Sequence, residues 1–544
     1  MTGVSGVDAE PPLGRDSVVA LDGGSLLSRQ ALGNKGFGIN LMRSAGLAVP
    51  PAFCLTTELC AQWLDGAEDV LDRVWPDVLQ SLRWLERQTS RTFGHGPRPL
   101  LLSVRSGASQ SMPGMLDTVL DLGINDAVHE ALTTHVSAGF AADTRARFEA
   151  MYRRIVLADT SAAVPTDPLL QLRLAIEAVF RSWTSPRAQA YRAHHGLDAA
   201  GGTAVVVQAM VFGNLHHDSG TGVLFSRNPA TGADEPMGEW LPGAQGEDVV
   251  SGTFDCLPLS ALRTAQPRVF DELMAAAAEL ERLGRDVQDI EFTIEEGRLW
   301  LLQTRTAKRS PQAAVRLALK FREAGLIDDA EVLRRVTPDH VRALLSPSIQ
   351  PENRLTATLL TTGLPASPGV ASGTAYHDVD AALDAADRDE DVILVRTSTS
   401  PDDIAGMISA RAVVTEIGGA TSHAAVVSRE LGLPAVVGCG AGVVAALDGR
   451  KITVDGAAGK VYDGEIELTA WSEQDSPDLI ELAAIAHRLS PIRVHATGAH
   501  PVLADVSEAT VRDAVSAGLT DVVCDTPLIA TLTAVRLSER SEDG

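Results

Sequence analysis

One of the 13 histidines, His423, stands in the run Gly418-Gly419-Ala420-Thr421-Ser422-His423-Ala424-Ala425. The apolar residues Ala412 to Thr415 before it read as a buried strand, and the apolar run after it reads as a helix that stops near Gly432 and Pro434. His423 is therefore expected at a helix N-terminus, where free N–H groups and the helix dipole favour an anion. That setting lowers an imidazole pKa, keeps the ring neutral and nucleophilic, and stabilises a phosphoryl group once attached. Nearby His, Cys or carboxylate residues at ligand spacing are missing, which argues against a metal at this histidine.

Three further segments carry chemistry. Gly33-Asn34-Lys35-Gly36-Phe37-Gly38 precedes an expected helix from Ile39 to Ala45. Its glycines would admit a phosphate and Lys35 would supply a compact charge, although a surface turn fits the same residues. In Leu101-Leu102-Ser103-Val104-Arg105-Ser106-Gly107-Ala108 a buried strand delivers Arg105 into a loop of small residues, with Gly114 and the hydroxyl of Thr118 close behind. The alternative there is an Arg105 paired with a surface carboxylate. The third segment is a hairpin, Asp289 to Ile294 and Leu299 to Arg305, turning at Glu295-Glu296-Gly297-Arg298. Strand alternation puts Asp289 and Glu291 on one face, and Gln303 and Arg305 on one face of the partner strand. Two carboxylates beside an amide and a guanidinium suit magnesium and a polyphosphate, while a solvated face with a cross-strand ion pair is the other reading.

These segments need large positioning elements, and the chain has the material for them: 544 residues, 45% of them hydrophobic. With 71 acidic against 46 basic residues the net charge is −25, so no global field draws in nucleic acid and any anion must be held by local cations and N–H groups. The five scattered cysteines lack a CxxC pair and fit a reducing, cytoplasmic setting. Asp8 and Glu10 in the N-terminal stretch argue against an export signal, and the uncharged run Leu431 to Leu447 contains Pro434 and argues against a membrane span. Leu172, Ile176, Val179, Phe180 and Trp183 mark one face of a core helix, and Pro347, Pro351 and Gly363-Leu364-Pro365 mark a domain boundary.

Taken in order, Gly33 to Gly38, Ser103 to Thr118, Thr203 to Gly252, Asp289 to Arg309 and Gly363 to Gly438 resemble the signatures of the pyruvate phosphate dikinase family, a family of PEP-utilising enzymes. The resemblance implies an α/β and α+β multidomain chain. Residues 1–19 would be a disordered terminus, 20–310 an ATP-grasp-type nucleotide-binding domain with a shortened helical insert, and 311–362 a helical linker. A swivelling phosphohistidine domain would follow at 363–470. It further implies that Lys35, Arg105 and Arg305 hold ATP phosphates, that Gly114 and Thr118 belong to a phosphate loop, and that Gln208 lies in the adenine-side strand. Glu291 and Gln303, with Asp289 close by, would coordinate Mg2+ and nucleotide. His423 would accept phosphate from ATP, and Thr421 occupies a position that some members phosphorylate for regulation, although a helix-cap role is preferred here.

Two departures shape the functional expectation. The helical stretch from about 140 to 200 is shorter than the family's. The (β/α)8 barrel that exchanges phosphate with pyruvate needs about 250 residues, and 471–544 supplies only a linker and an opening β-α-β unit in which Cys524-Asp525 replaces the family's arginine. The expected activity is thus ATP-dependent phosphotransfer to His423. ATP and inorganic phosphate are the partners, because Met112-Pro113-Gly114-Met115 resembles the phosphate-using members. The acceptor, pyruvate or another, would come from a separate barrel-bearing chain or be a free small molecule, with a homodimer left open. The alternatives are an antibiotic phosphotransferase resembling rifampin phosphotransferase and a non-catalytic nucleotide sensor.

Overall fold

The apolar run around Val104 builds a buried strand, and that strand lies inside an antiparallel sheet. A computed structural model describes residues 17–542 except 68, 111, 113, 114, 195, 196, 198–200, 251–253, 255, 346, 347, 350–352, 354, 355 and 470–472. Its first sheet runs in the order Val18–Ala20, Ala52–Leu55, Ala204–Ala209, Leu102–Gly107 and Thr118–Leu122, every pairing antiparallel. Helix Pro168–Ser182 lays Leu172, Ile176, Val179 and Phe180 against this sheet in one core with Val104, Val119, Val205 and Val207. Most of 1–19, expected to be disordered, lies outside the described residues.

The glycine-lysine segment departs from expectation. It sits inside a helix, Arg29–Ser44, capped by Ser28, whose hydroxyl accepts from the Ala31 N–H at 3.3 Å. The helix kinks at Gly33, where φ is 65°. The reason is steric: a Cβ on Gly33 would fall 1.6 Å from the Gly107 carbonyl oxygen, and one on Gly38 would fall 2.8 Å from that of Thr304. Gly33 and Gly38 admit neighbouring backbone, Gly36 packs against the Cys54 and Leu32 side chains, and the close approach fixes Lys35 beside Gly107.

Contacts divide the chain into two units: the first runs up to Thr221 and adds 242–245 and 291–305; the second comprises 222–241, 246–290 and everything from Thr306 onward. A second five-stranded sheet has the order Leu257–Pro258, Met237–Pro242, Gly220–Phe225, Gln288–Glu295 and Arg298–Thr306. Within the second unit an eight-stranded sheet has a parallel centre, Val370–Tyr376, Val392–Arg396, Ala412–Thr415 and Ala435–Val437. Strands Val392–Arg396, Ala412–Thr415 and Ala435–Val437 are near-continuous Val, Ile, Leu and Ala, as strands buried on both faces must be. Helix His423–Leu431 is the crossover from Ala412–Thr415 to Ala435–Val437, so its N-terminus opens at the carboxyl end of a parallel strand, where α/β sheets place ligands.

Helices Pro311–Glu323, Asp329–Arg335 and Pro338–Leu344 share a core with Pro477–Leu489 and Pro527–Glu542 through Leu317, Phe321, Val332, Leu482, Ile485, Leu528 and Leu532. Parallel strands Arg493–His495 and Asp521–Val523, with helix Glu508–Ser516 between them, form the expected β-α-β unit. Among the described residues all five cysteines are free thiols. No described helix is long and apolar enough to cross a membrane.

Candidate functional site

In the first unit, strand Leu102–Gly107 carries Arg105 within the strand rather than in the loop after it, opposite Thr118 on one side and Val206 on the other. Its guanidinium reaches Glu291 Oε2 at 2.7 Å and Gln303 Oε1 at 3.3 Å, and the Gln303 amide donates to Glu291 Oε1 at 3.3 Å. Side-chain exposure is 13% for Arg105 and 29% for Glu291, so the pair is only partly open to water. Burial raises the Glu291 pKa, but Arg105, Arg305 and Lys35 outweigh it and hold the carboxyl below its usual range. Lys35 is pushed down to about 7, first by burial and then by the charges of Arg105 and Arg305, against the pull of Glu291. A lysine that sheds its proton this easily marks an excess of positive potential, and a polyphosphate is the ligand that would relieve it.

The loop after Arg105 is tied down by Arg187, which donates to Asp117 Oδ1 and to the Met115 carbonyl. Gly114 lies outside the described residues. Gln208 sits in the expected strand, but its amide donates to the Pro50 carbonyl at 3.2 Å and its side chain is buried. Asp289, which belongs to the second unit, is buried too, and its charge acts on Arg429 of that same unit.

In the second unit, Ser422 caps helix His423–Leu431 by accepting from the Ala425 N–H, so the cap expected of Thr421 belongs to its neighbour. Thr421 instead donates its buried hydroxyl to Glu239 Oε2, and the Ala420 N–H donates to Glu239 Oε1 at 3.0 Å. Gly419 lets that carboxylate come close: a Cβ on it would fall 2.0 Å from Glu239 Oε1 and would displace the Glu239 side chain. The wholly buried Arg429 donates to the Ala366 and Ala420 carbonyls at 3.0 and 2.9 Å. The loop is thus clamped by an anion on one side and a cation on the other.

His423 Nδ1 lies 3.1 Å from Thr399 Oγ1, and Nε2 is buried without a hydrogen-bond partner among the described residues. Burial pushes the ring down to about 4 against the opposing pull of Asp403, so it is neutral near pH 7. In the tautomer whose Nδ1–H donates to Thr399, Nε2 presents an unshared lone pair.

Residues 68–256 match the model of the pyruvate phosphate dikinase AMP/ATP-binding domain, and 388–459 match the PEP-utilising enzyme mobile domain. The chain belongs to the pyruvate phosphate dikinase family. It is 40% identical to the pyruvate, phosphate dikinase of Rhizobium meliloti (strain 1021) over 82% of its own length and 57% of the relative's. With that of Clostridium symbiosum it shares 37% identity over 88% and 61%, and with a chloroplastic one of Zea mays 38% over 82% and 53%. The chain therefore spans between about half and three fifths of the length of these relatives.

An ATP-grasp-type domain and a PEP-utilising mobile domain are accordingly both present. The donor set suits Mg2+: the ionised Glu291 carboxylate and the Gln303 amide oxygen, partly open to water, would hold the ion, which would neutralise the charge of a bound polyphosphate. Thr399, Glu239 and Arg429 were not singled out by motif. Thr399 follows strand Val392–Arg396 at the carboxyl edge of the parallel strands, which is the signal that could have found it. Glu239 acts on residues 181 and 182 positions away, and nothing local marks it.

Proposed function

We propose that this chain performs the ATP half of a pyruvate phosphate dikinase-type reaction, with His423 as the residue that takes up phosphate. The observation that supports it most is the state of His423: neutral, with Nε2 unpaired, at the head of a helix. In this reading Nε2 attacks the β-phosphorus of ATP, the bond to the AMP oxygen breaks, and AMP leaves with that electron pair. Inorganic phosphate then takes the γ-phosphoryl, giving pyrophosphate and leaving one phosphoryl on Nε2. Lys35, Arg105 and Arg305 hold the polyphosphate, and Glu291 and Gln303 hold Mg2+, which supplies neutralisation of its charge. Gly114 belongs to the phosphate loop in this reading, Thr118, opening strand Thr118–Leu122 opposite Arg105, offers its hydroxyl to the phosphates, and Gln208 belongs to the strand on the adenine side. Thr421, whose hydroxyl is buried and engaged by Glu239, serves the structure of the loop in this reading rather than regulation. The final acceptor, pyruvate or another, is presented by another chain, in the cytoplasm to which five free thiols point.

The test uses ATP labelled in turn at the β- and γ-phosphates. Acid-labile label on His423 and release of AMP are expected, with His423→Asn lowering AMP formation by about 10^4-fold or more. Absence of label both with and without inorganic phosphate overturns the proposal.

A further inference from the structure

The C-terminal β-α-β unit carries a second group of convergent side chains that phosphotransfer does not use. Strands Arg493–His495 and Asp521–Val523 pair in parallel with Arg493 opposite Asp521 and His495 opposite Val523. Val494 and Val522 point into a small core with Ile492, Leu503 and Val511, so the alternate residues His495 and Asp521 stand on the outer face. There His495 Nε2 lies 3.0 Å from Asp521 Oδ1. The chain after His495 folds back: Val523 donates to the Pro501 carbonyl and Leu503 donates to the Val523 carbonyl, both at 2.9 Å. That return is made at Gly498, with φ 145°, and it stacks the His500 ring on His495 with centroids 4.8 Å apart.

We propose that His495, His500 and Asp521 form a binding site for one borderline divalent transition metal of the zinc class, whose role is to clip this loop to the two strands. One ligand atom from each lies within 4.8 Å of the other two. Tetrahedral coordination at about 2.1 Å puts ligand atoms roughly 3.4 Å apart. The His495–Asp521 edge, at 3.0 Å, lies close to that spacing, and small side-chain rotations, chiefly of the exposed His500, close the rest. Thr520 donates its hydroxyl to Asp521 Oδ2 at 2.9 Å, orienting the carboxylate as supporting groups around metal ligands do. Two imidazoles and one carboxylate select Zn2+, Co2+ or Ni2+ over Mg2+, and three protein ligands leave a fourth position for water. The strands are held by a buried core, so the donors sit on a rigid platform.

The experiment titrates Co2+ into the chelator-stripped full-length chain in saturating Mg2+, which occupies the Glu291 and Gln303 donors, and follows the visible absorption of tetrahedral Co2+. One equivalent is expected to bind with nitrogen and oxygen ligation, to be displaced by Zn2+, and to bind at least tenfold more weakly in His500→Ala and Asp521→Asn. Because His500 is exposed, His500→Ala keeps its fold; Zn2+ is expected to raise the unfolding temperature of the native chain and not that of the variant. His500→Cys, which restores a ligand, is expected to recover binding. Equal Co2+ binding by the native chain and a folded His500→Ala, or no tetrahedral absorption in the native chain, overturns the site.

Discussion

Around Glu291 four ionisable side chains act on one another, whereas around His423 a single imidazole sits among Ala424, Ala425 and Thr399 with Asp403 opposing its burial. Both regions weaken a proton's hold, Lys35 to about 7 and His423 to about 4, but the causes differ. At Lys35 burial is reinforced by like charges, so positive charge outweighs the single Glu291 carboxylate there. At His423 burial acts almost alone, so the site keeps an uncharged lone pair ready. A phosphate-binding site must stay charged and undercompensated, while a nucleophile must stay neutral; the two demands are met by different residue compositions in separate units.

The largest break in this comparison should come from Arg105. Lysine keeps the charge but carries it as a compact ammonium on a flexible stem, whereas the planar guanidinium reaches both Glu291 and Gln303 from one nitrogen, Nη2, and carries further N–H donors suited to phosphate. Arg105→Lys is expected to lower kcat/KM for ATP by about 100-fold, with the His423 ring still reactive in a test independent of ATP, such as acylation of the imidazole. An equal loss in both readouts would mean that Arg105 serves the fold and not the phosphate.

Glu239 gives a smaller and more local break on the His423 side. Glu239→Ala leaves the Ala420 N–H and the buried Thr421 hydroxyl without their acceptor, at about 1–3 kcal/mol for the groups left unpaired. Faster hydrogen exchange at Ala420 and slower labelling of His423 are expected, with ATP affinity of the first unit unchanged. If exchange at Ala420 does not change, the carboxylate does not hold the loop.

These two residues also show what a sequence makes legible. His423 is readable because its strand, glycines, cap and helix are contiguous, and each has a local physical signature. The strand of Arg105 and the hairpin of Glu291 are readable from apolar alternation, but their contact across 186 positions is not, since nothing in spacing says which strand ends meet. The glycines of 33–38 were legible as close-approach positions, but what they approach depends on the sheet beneath them. Thr421 and Ser422 are equivalent as caps on paper; the choice is made by Glu239, brought in from 182 positions away.

The smallest effect sharpens the contrast through protons. Lys35 has its native pKa lowered from 10.5 to about 7, so the unfolded chain binds more protons between those limits and the lysine's contribution to stability rises with pH across that window. At pH 8 Lys35 is mostly neutral in the free protein. A bound polyphosphate raises its pKa, so ATP binding at pH 8 should draw in up to about one proton, measurable by calorimetry in buffers of differing ionisation enthalpy. At pH 6 the lysine is already charged and the uptake from it should vanish. Lys35→Met should abolish the pH 8 uptake, and His423→Asn should leave it unchanged, because His423 is neutral at both pH values. Uptake that survives Lys35→Met would place the titrating group elsewhere and remove the charge argument for the Glu291 cluster.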